Sequence, residues 1–156
     1  MCFVLYAGTS HPIPRKEWRN DAPDVSVKSL TERERPITAH FGKPEVQYIG
    51  STSDCGCDFP YVMFQNGEWP WFDDDEPEPE REASDRYNRE RLVAVLRETR
   101  EPTVELYGVW DGDFDFTTPP AIREEISVET ILERGFRLKE QGFYIVSFKR
   151  SDSIND

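Results

Sequence analysis

Short apolar or alternating segments, separated by proline, glycine and acidic residues, run along the whole chain. Residues 2–7 are apolar without interruption, as in a buried strand, whereas residues 24–30 alternate valine with polar side chains, as in a strand with one exposed face. The same criteria predict further strands at 46–50, 61–65, 103–110, 113–117, 123–126, 136–139 and 143–149. The turn pairs Asn66-Gly67, Asp111-Gly112 and Gln141-Gly142 predict hairpins between successive strands.

Helical spacing of apolar residues occurs at three places. The main helix is predicted to begin at Ser84 or Asp85, either of which can cap it, and to end before Pro102. Its apolar stripe consists of Leu92, Val95, Leu96 and Thr99. Two short helices are predicted, one at 36–41 and one from Ser127. The predicted fold is therefore α+β, a largely antiparallel sheet of hairpins with one main helix and two short helices packed on it.

The length of 156 residues favours a single domain, here residues 1–150. Residues 73–85 carry eight carboxylates and one arginine, and this composition predicts a mobile, solvated acidic loop inside the domain. Residues 151–156 are predicted to be a disordered tail.

The formal net charge of −12 restricts the kinds of partner that we expect the protein to bind. A strongly negative surface repels nucleic-acid phosphates and anionic membranes, so we expect neither nucleic acid nor membrane as a partner. We find no secretory signal, no apolar membrane span and an odd number of cysteines, which favour the cytoplasm. The common signatures of hydrolases, kinases and dehydrogenases are also missing from the sequence.

The first functional hypothesis is a non-enzymatic protein-binding domain, of the immunity or adaptor type. Its acidic surface would attract a protein partner with a basic surface, and exposed aromatic side chains often anchor such interfaces. The candidate binding residues are the aromatic and acidic side chains Trp69, Trp71, Phe72, Asp73, Asp74 and Asp75.

The second hypothesis depends on the three cysteines of the chain. Cys55 and Cys57 flank a glycine, and Cys2 lies in the first predicted strand. If the three sulfurs meet, they and His40 offer four ligands of the kind that zinc prefers. The sequence requires no cofactor, and zinc is the metal that this set would hold. Two alternatives stay open: thiol-dependent chemistry, for which Cys2 is the only catalytic candidate, and cysteines that serve packing and loop structure alone.

Two resemblances bear on the cysteines. The chain starts with Met1-Cys2, followed by the segment Leu5-Tyr6-Ala7-Gly8 and a proline-rich turn, and this start is similar to that of class II glutamine amidotransferases. The resemblance implies that the Cys2 thiol attacks an amide and that the amino group of Cys2 acts as the base. Phe3 stands where that family has glycine. The wider pattern of Met1-Cys2, residues 40–44, residues 48–50 and the Cys55-Gly56-Cys57 loop also resembles an uncharacterised bacterial protein family, and this resemblance implies no activity.

Overall fold

The computed structural model of the protein describes residues 2–63, 78–112 and 115–148. The strands in these stretches are β1 (Phe3–Thr9), β2 (Ser26–Ser29), β3 (Glu45–Gly50), β4 (Tyr61–Val62), β5 (Thr103–Trp110), β6 (Ile122–Ser127), β7 (Leu138–Lys139) and β8 (Gly142–Ser147). The α-helices are α1 (Pro79–Arg97) and α2 (Val128–Ile131), and the 3₁₀ helices are Arg35–His40 and Gly56–Asp58. No helix in the described ranges is both long and apolar enough to cross a membrane.

Six strands form one sheet in the order β2-β3-β1-β5-β8-β6. Every neighbouring pair is antiparallel except β6 and β8, which are parallel. All seven residues of β1 are buried, as its uninterrupted apolar sequence predicts for a strand in the middle of a sheet. β4 and β7 pair in parallel as a separate two-stranded sheet. The α+β class and the largely antiparallel sheet are thus confirmed.

Both faces of the sheet are covered. On one face, Leu5 and Leu106 belong to a cluster that includes Leu92 and Leu96 of α1. On the other face, Tyr6 and Tyr107 belong to a second cluster with Ile37 of the first 3₁₀ helix. Because successive side chains of a strand point to opposite faces, β1 contributes to both clusters. The predicted apolar stripe of α1 is buried at Leu92, Val95 and Leu96.

Helix α1 begins earlier than predicted. It starts at Pro79, so residues 79–85, which the composition assigned to a solvated loop, form its first turns. Proline is well suited to the first helical position because its fixed φ matches the helix. An N–H at this position would have no acceptor within the helix, so proline loses no hydrogen bond by lacking one. Glu80 and Glu82 in the first turn also favour the helix dipole. Residues 73–77 and 151–156 lie outside the described residues.

Two predicted hairpins are wrong, and the third lies in part outside the described residues. After Asp111-Gly112, residues 115–118 form a turn, and β5 pairs with β1 and β8 instead. At Gln141-Gly142 the chain does reverse, but β7 pairs with β4 whereas β8 enters the large sheet. Gln141 has a positive φ of 58° and donates its N–H to the Gly108 carbonyl at 2.7 Å, which directs β8 onto β5. The segment around Asn66-Gly67 is the third case.

An ion pair holds α1 against the start of β2. Arg91 donates two hydrogen bonds to the Asp24 carboxylate, at 2.8 and 3.0 Å, and Lys16 donates a third. Burial alone raises the pKa of Asp24, but these hydrogen bonds and one from the Val25 N–H outweigh it and lower the pKa to about 2. A depressed carboxyl pKa stabilises the folded state above the pKa of the unfolded chain.

We therefore expect Asp24→Asn to reduce the stability at pH 7 by about 1 to 2 kcal/mol, a value lowered by solvent screening of this partly exposed pair. The difference from the wild type should shrink as the pH falls from about 4 toward 2, where half of the native carboxylate is protonated. Urea unfolding at several pH values measures this. Asp21→Asn is the control, because Asp21 forms an exposed pair with Arg19. A difference that persists at pH 2 would contradict the assignment.

A cluster of three cysteines as candidate metal centre

The sulfur atoms of Cys2, Cys55 and Cys57 all lie within 4.8 Å of one another. Cys2 directly precedes β1, and the other two lie in the loop after β3, which includes the 3₁₀ helix Gly56–Asp58. Because β1 and β3 are antiparallel neighbours, with Leu5 opposite Ile49, the beginning of β1 adjoins the end of β3. Sheet pairing therefore brings together sulfurs that are more than fifty residues apart in sequence. The predicted cysteine cluster is present.

Gly56 allows the loop to lie directly on β1. A Cβ atom at Gly56 would come 2.5 Å from the carbonyl oxygen of Phe3 and 3.0 Å from its carbonyl carbon. No side chain fits at that distance from a buried strand. The close approach places the cysteines on either side of Gly56 next to Cys2, so the glycine between them is a requirement of the site.

Hydrogen bonds fix the rest of the loop. The Ser51 N–H donates to the Cys55 carbonyl at 2.6 Å, and the Asp54 N–H donates to the Ser51 carbonyl at 2.9 Å. Asp54 adopts a positive φ of 68° at this turn. Its carbonyl accepts from the Tyr48 hydroxyl at 3.0 Å, and its carboxylate pairs with Lys28 at 2.7 Å. The loop is therefore anchored to both β2 and β3.

The three thiols differ in their electrostatic surroundings. The Cys55 sulfur accepts a hydrogen bond from the Cys57 N–H at 3.4 Å and lies 3.5 Å from the Ser53 hydroxyl. Burial raises the pKa of Cys55, but hydrogen bonds from Ser53, Cys57 and Cys2 outweigh it, so the net pKa is lowered. Burial and the neighbouring thiols raise the pKa of Cys57 to about 12. Of the two loop thiols, Cys55 is thus the one that ionises more easily, which the flanking carboxylates in the sequence did not indicate.

Cys2 is held through its backbone by Asp111, just beyond β5. Its N–H donates to Asp111 Oδ1 at 2.7 Å, and its carbonyl accepts from the Asp111 N–H at 2.9 Å. The sequence alone did not indicate that Asp111 belongs to the site. Nothing near Asp111 in the sequence signals this role, because the contact arises only when β5 pairs with β1.

His40 does not join the cysteines. Its Nε2 lies 2.9 Å from the Phe116 carbonyl, to which it donates, and its ring meets Tyr107 edge-on at 5.7 Å. His40 thus packs against the second face of the sheet. Within the described part of the chain, no fourth His, Cys, Asp or Glu completes the group of three sulfurs.

The other candidate binding residues, Trp69, Trp71, Phe72, Asp73, Asp74 and Asp75, lie outside the described residues. The protein-binding hypothesis and its basic partner therefore stay predictions.

Comparisons with protein-family models, with curated proteins and with solved structures found no match to this chain. The resemblances to class II glutamine amidotransferases and to a bacterial family therefore also stay predictions. The three cysteines are therefore the feature of this chain from which a function can be proposed.

Proposed function

We propose that the protein is a metal-binding protein whose three cysteines hold one Zn²⁺ ion. The observation that carries this proposal is the convergence of three sulfurs from two distant segments within 4.8 Å. Zinc–sulfur bonds of about 2.3 Å require sulfur separations of about 4 Å in a tetrahedral site, so small side-chain rotations complete the ligand set. Three protein ligands leave the fourth position to water or to another molecule.

The half-buried state of the cluster also supports metal binding. All three cysteine side chains are partly accessible, so an ion can reach the sulfurs without unfolding the loop. The loop is already ordered by its hydrogen bonds and by the Asp54–Lys28 pair. A site that is ordered before the ion arrives loses less conformational entropy on binding.

Zinc affinity of the reduced protein tests the proposal. We expect one Zn²⁺ per chain, measured by competition with a chromophoric chelator. Cys2→Ser, Cys55→Ser and Cys57→Ser should each weaken binding by about 100-fold, because each removes one ligand of a chelate. His40→Ala is the matched control and should bind zinc as the wild type does, since His40 is bonded elsewhere.

Circular dichroism of each variant shows whether it is folded, which separates a lost ligand from a lost fold. The proposal is wrong if the folded wild type binds no zinc. It is also wrong if the folded Cys2→Ser variant binds zinc as tightly as the wild type, because Cys2 is the ligand that joins β1 to the loop.

A further inference from the structure

The cluster offers three sulfur donors and, among the described residues, no fourth protein ligand. A tetrahedral ion such as zinc needs a fourth ligand in addition to these three sulfurs. A centre that forms only three bonds is satisfied by the three sulfurs alone. The donor count therefore favours a soft, three-coordinate centre.

The charge around the cluster favours a product without net charge. Asp54 and Asp58 flank the cysteine pair in sequence, and Asp111 contacts the Cys2 N–H. Lys28 pairs with Asp54 at 2.7 Å and balances the charge of that carboxylate, so Asp58 and Asp111 are the carboxylates that remain in this group. A complex of three thiolates with Zn²⁺ carries one negative charge, and with a monovalent ion it carries two, so both add to this negative field.

From these observations we infer that the ligand class of this site is trivalent arsenic in the form of arsenous acid, bound by all three cysteines. This inference rests on the proposed function, since it uses the same metal-binding cluster and names what the cluster holds best. Arsenous acid is neutral, prefers sulfur donors and forms three bonds.

The reaction is a ligand exchange without electron transfer. Three arsenic–oxygen bonds break and three arsenic–sulfur bonds form. Each thiol proton leaves with one hydroxide as water, so one As(OH)₃ and three thiols give one tris-thiolate complex and three waters. The product is neutral, and no thiol has to remain as an uncompensated thiolate beside the carboxylates.

Titration of the protein with sodium arsenite tests the inference. The protein is reduced with a phosphine, which leaves no competing thiol, and is desalted before thiol titration and arsenic analysis. We expect one arsenic per chain, a fall from three free thiols to none, and new near-ultraviolet absorption from sulfur–arsenic bonds. Cys2→Ser should bind arsenite about 100-fold more weakly, because two donors from one loop remain. His40→Ala should match the wild type.

The outcomes separate this inference from the proposed function. If arsenite binds with loss of three thiols and prevents zinc from binding, both stand. If zinc binds but arsenite does not, or if arsenite uses only the two loop cysteines and Cys2→Ser binds it normally, the inference is overturned and zinc binding stands. If arsenite binds to three thiols and zinc does not bind, the inference stands and zinc is wrong. If neither binds, both are overturned.

Discussion

Gly56→Ala should lower the free energy of unfolding by about 3 kcal/mol, the upper end of the usual cost of overpacking. The added Cβ would lie 2.5 Å from the Phe3 carbonyl oxygen, well inside the contact distance. The atom that it meets belongs to the backbone of a fully buried central strand. A flexible side chain could move away, but this strand is held by β3 and β5 on its two sides. The loop must therefore shift outward.

The same shift should separate the loop cysteines from Cys2. We expect Gly56→Ala to weaken zinc binding by about 100-fold, as if the third ligand had been removed, although no sulfur is changed. Urea unfolding and the chelator competition measure the two effects. Loss of both together would show that stability and metal affinity depend on one contact.

Gly135→Ala is the matched control. A Cβ at Gly135 has no atom within 4 Å, and the residue lies in an exposed turn. We expect its stability to stay within about 0.5 kcal/mol of the wild type and its zinc affinity to be unchanged. If Gly56→Ala behaves like Gly135→Ala, the loop does not lie on Phe3 as described.

The fold could be predicted where burial alone determines the element. The uninterrupted apolar segment at 2–7 predicted a buried strand, and residues 3–7 of it lie in β1, in the interior of the sheet. The stripe at Leu92, Val95 and Leu96 predicted the buried face of α1. In both cases the pattern reports which side chains leave water, and this property is local to the segment.

Strand pairing could not be predicted in the same way. The turn at Gln141-Gly142 was recognised, but a turn determines only that the chain reverses. Whether the following strand pairs with the preceding one depends on distant partners, and β8 pairs with β5 and β6. The parallel pairing of β6 with β8 likewise has no signal in either segment.

The candidate site was predictable in its residue types and only partly in its geometry. Three cysteines suggested a soft-ligand site, and the position of Gly56 between two of them suggested a tight turn. The meeting of Cys2 with that turn follows from the β1–β3 pairing, which the sequence did not specify. His40 is a suitable zinc ligand by residue type. In the structure it donates to the Phe116 carbonyl instead, and this contact depends on the packing against the second face of the sheet, which the sequence did not specify.

Arg89→Met should destabilise the protein by about 3 kcal/mol. Arg89 is 5% exposed, and its Nη2 donates to the carbonyls of Arg134 at 2.8 Å and Phe136 at 2.9 Å. These bonds tie α1 to the segment that leads into β7. Methionine keeps most of the side-chain volume but leaves both carbonyls without this donor, and hydrogen bonds to a charged group contribute about 1.5 to 3 kcal/mol each.

An opposing effect reduces this loss. Burial lowers the pKa of Arg89, so the folded protein disfavours its charge, and its Nε has no hydrogen-bond partner among the described residues. Methionine removes that desolvation cost. Two charge-assisted bonds exceed it, because methionine cannot satisfy the carbonyls that stay in place. The net effect of Arg89→Met is therefore destabilising.

Urea unfolding measures this loss of stability. Arg86→Met is the control, because Arg86 is exposed on the same helix, and we expect its stability to change by no more than about 0.5 kcal/mol. If Arg89→Met is as stable as the wild type, the desolvation cost equals the two bonds, and Arg89 adds no net stability to the contact between α1 and this segment.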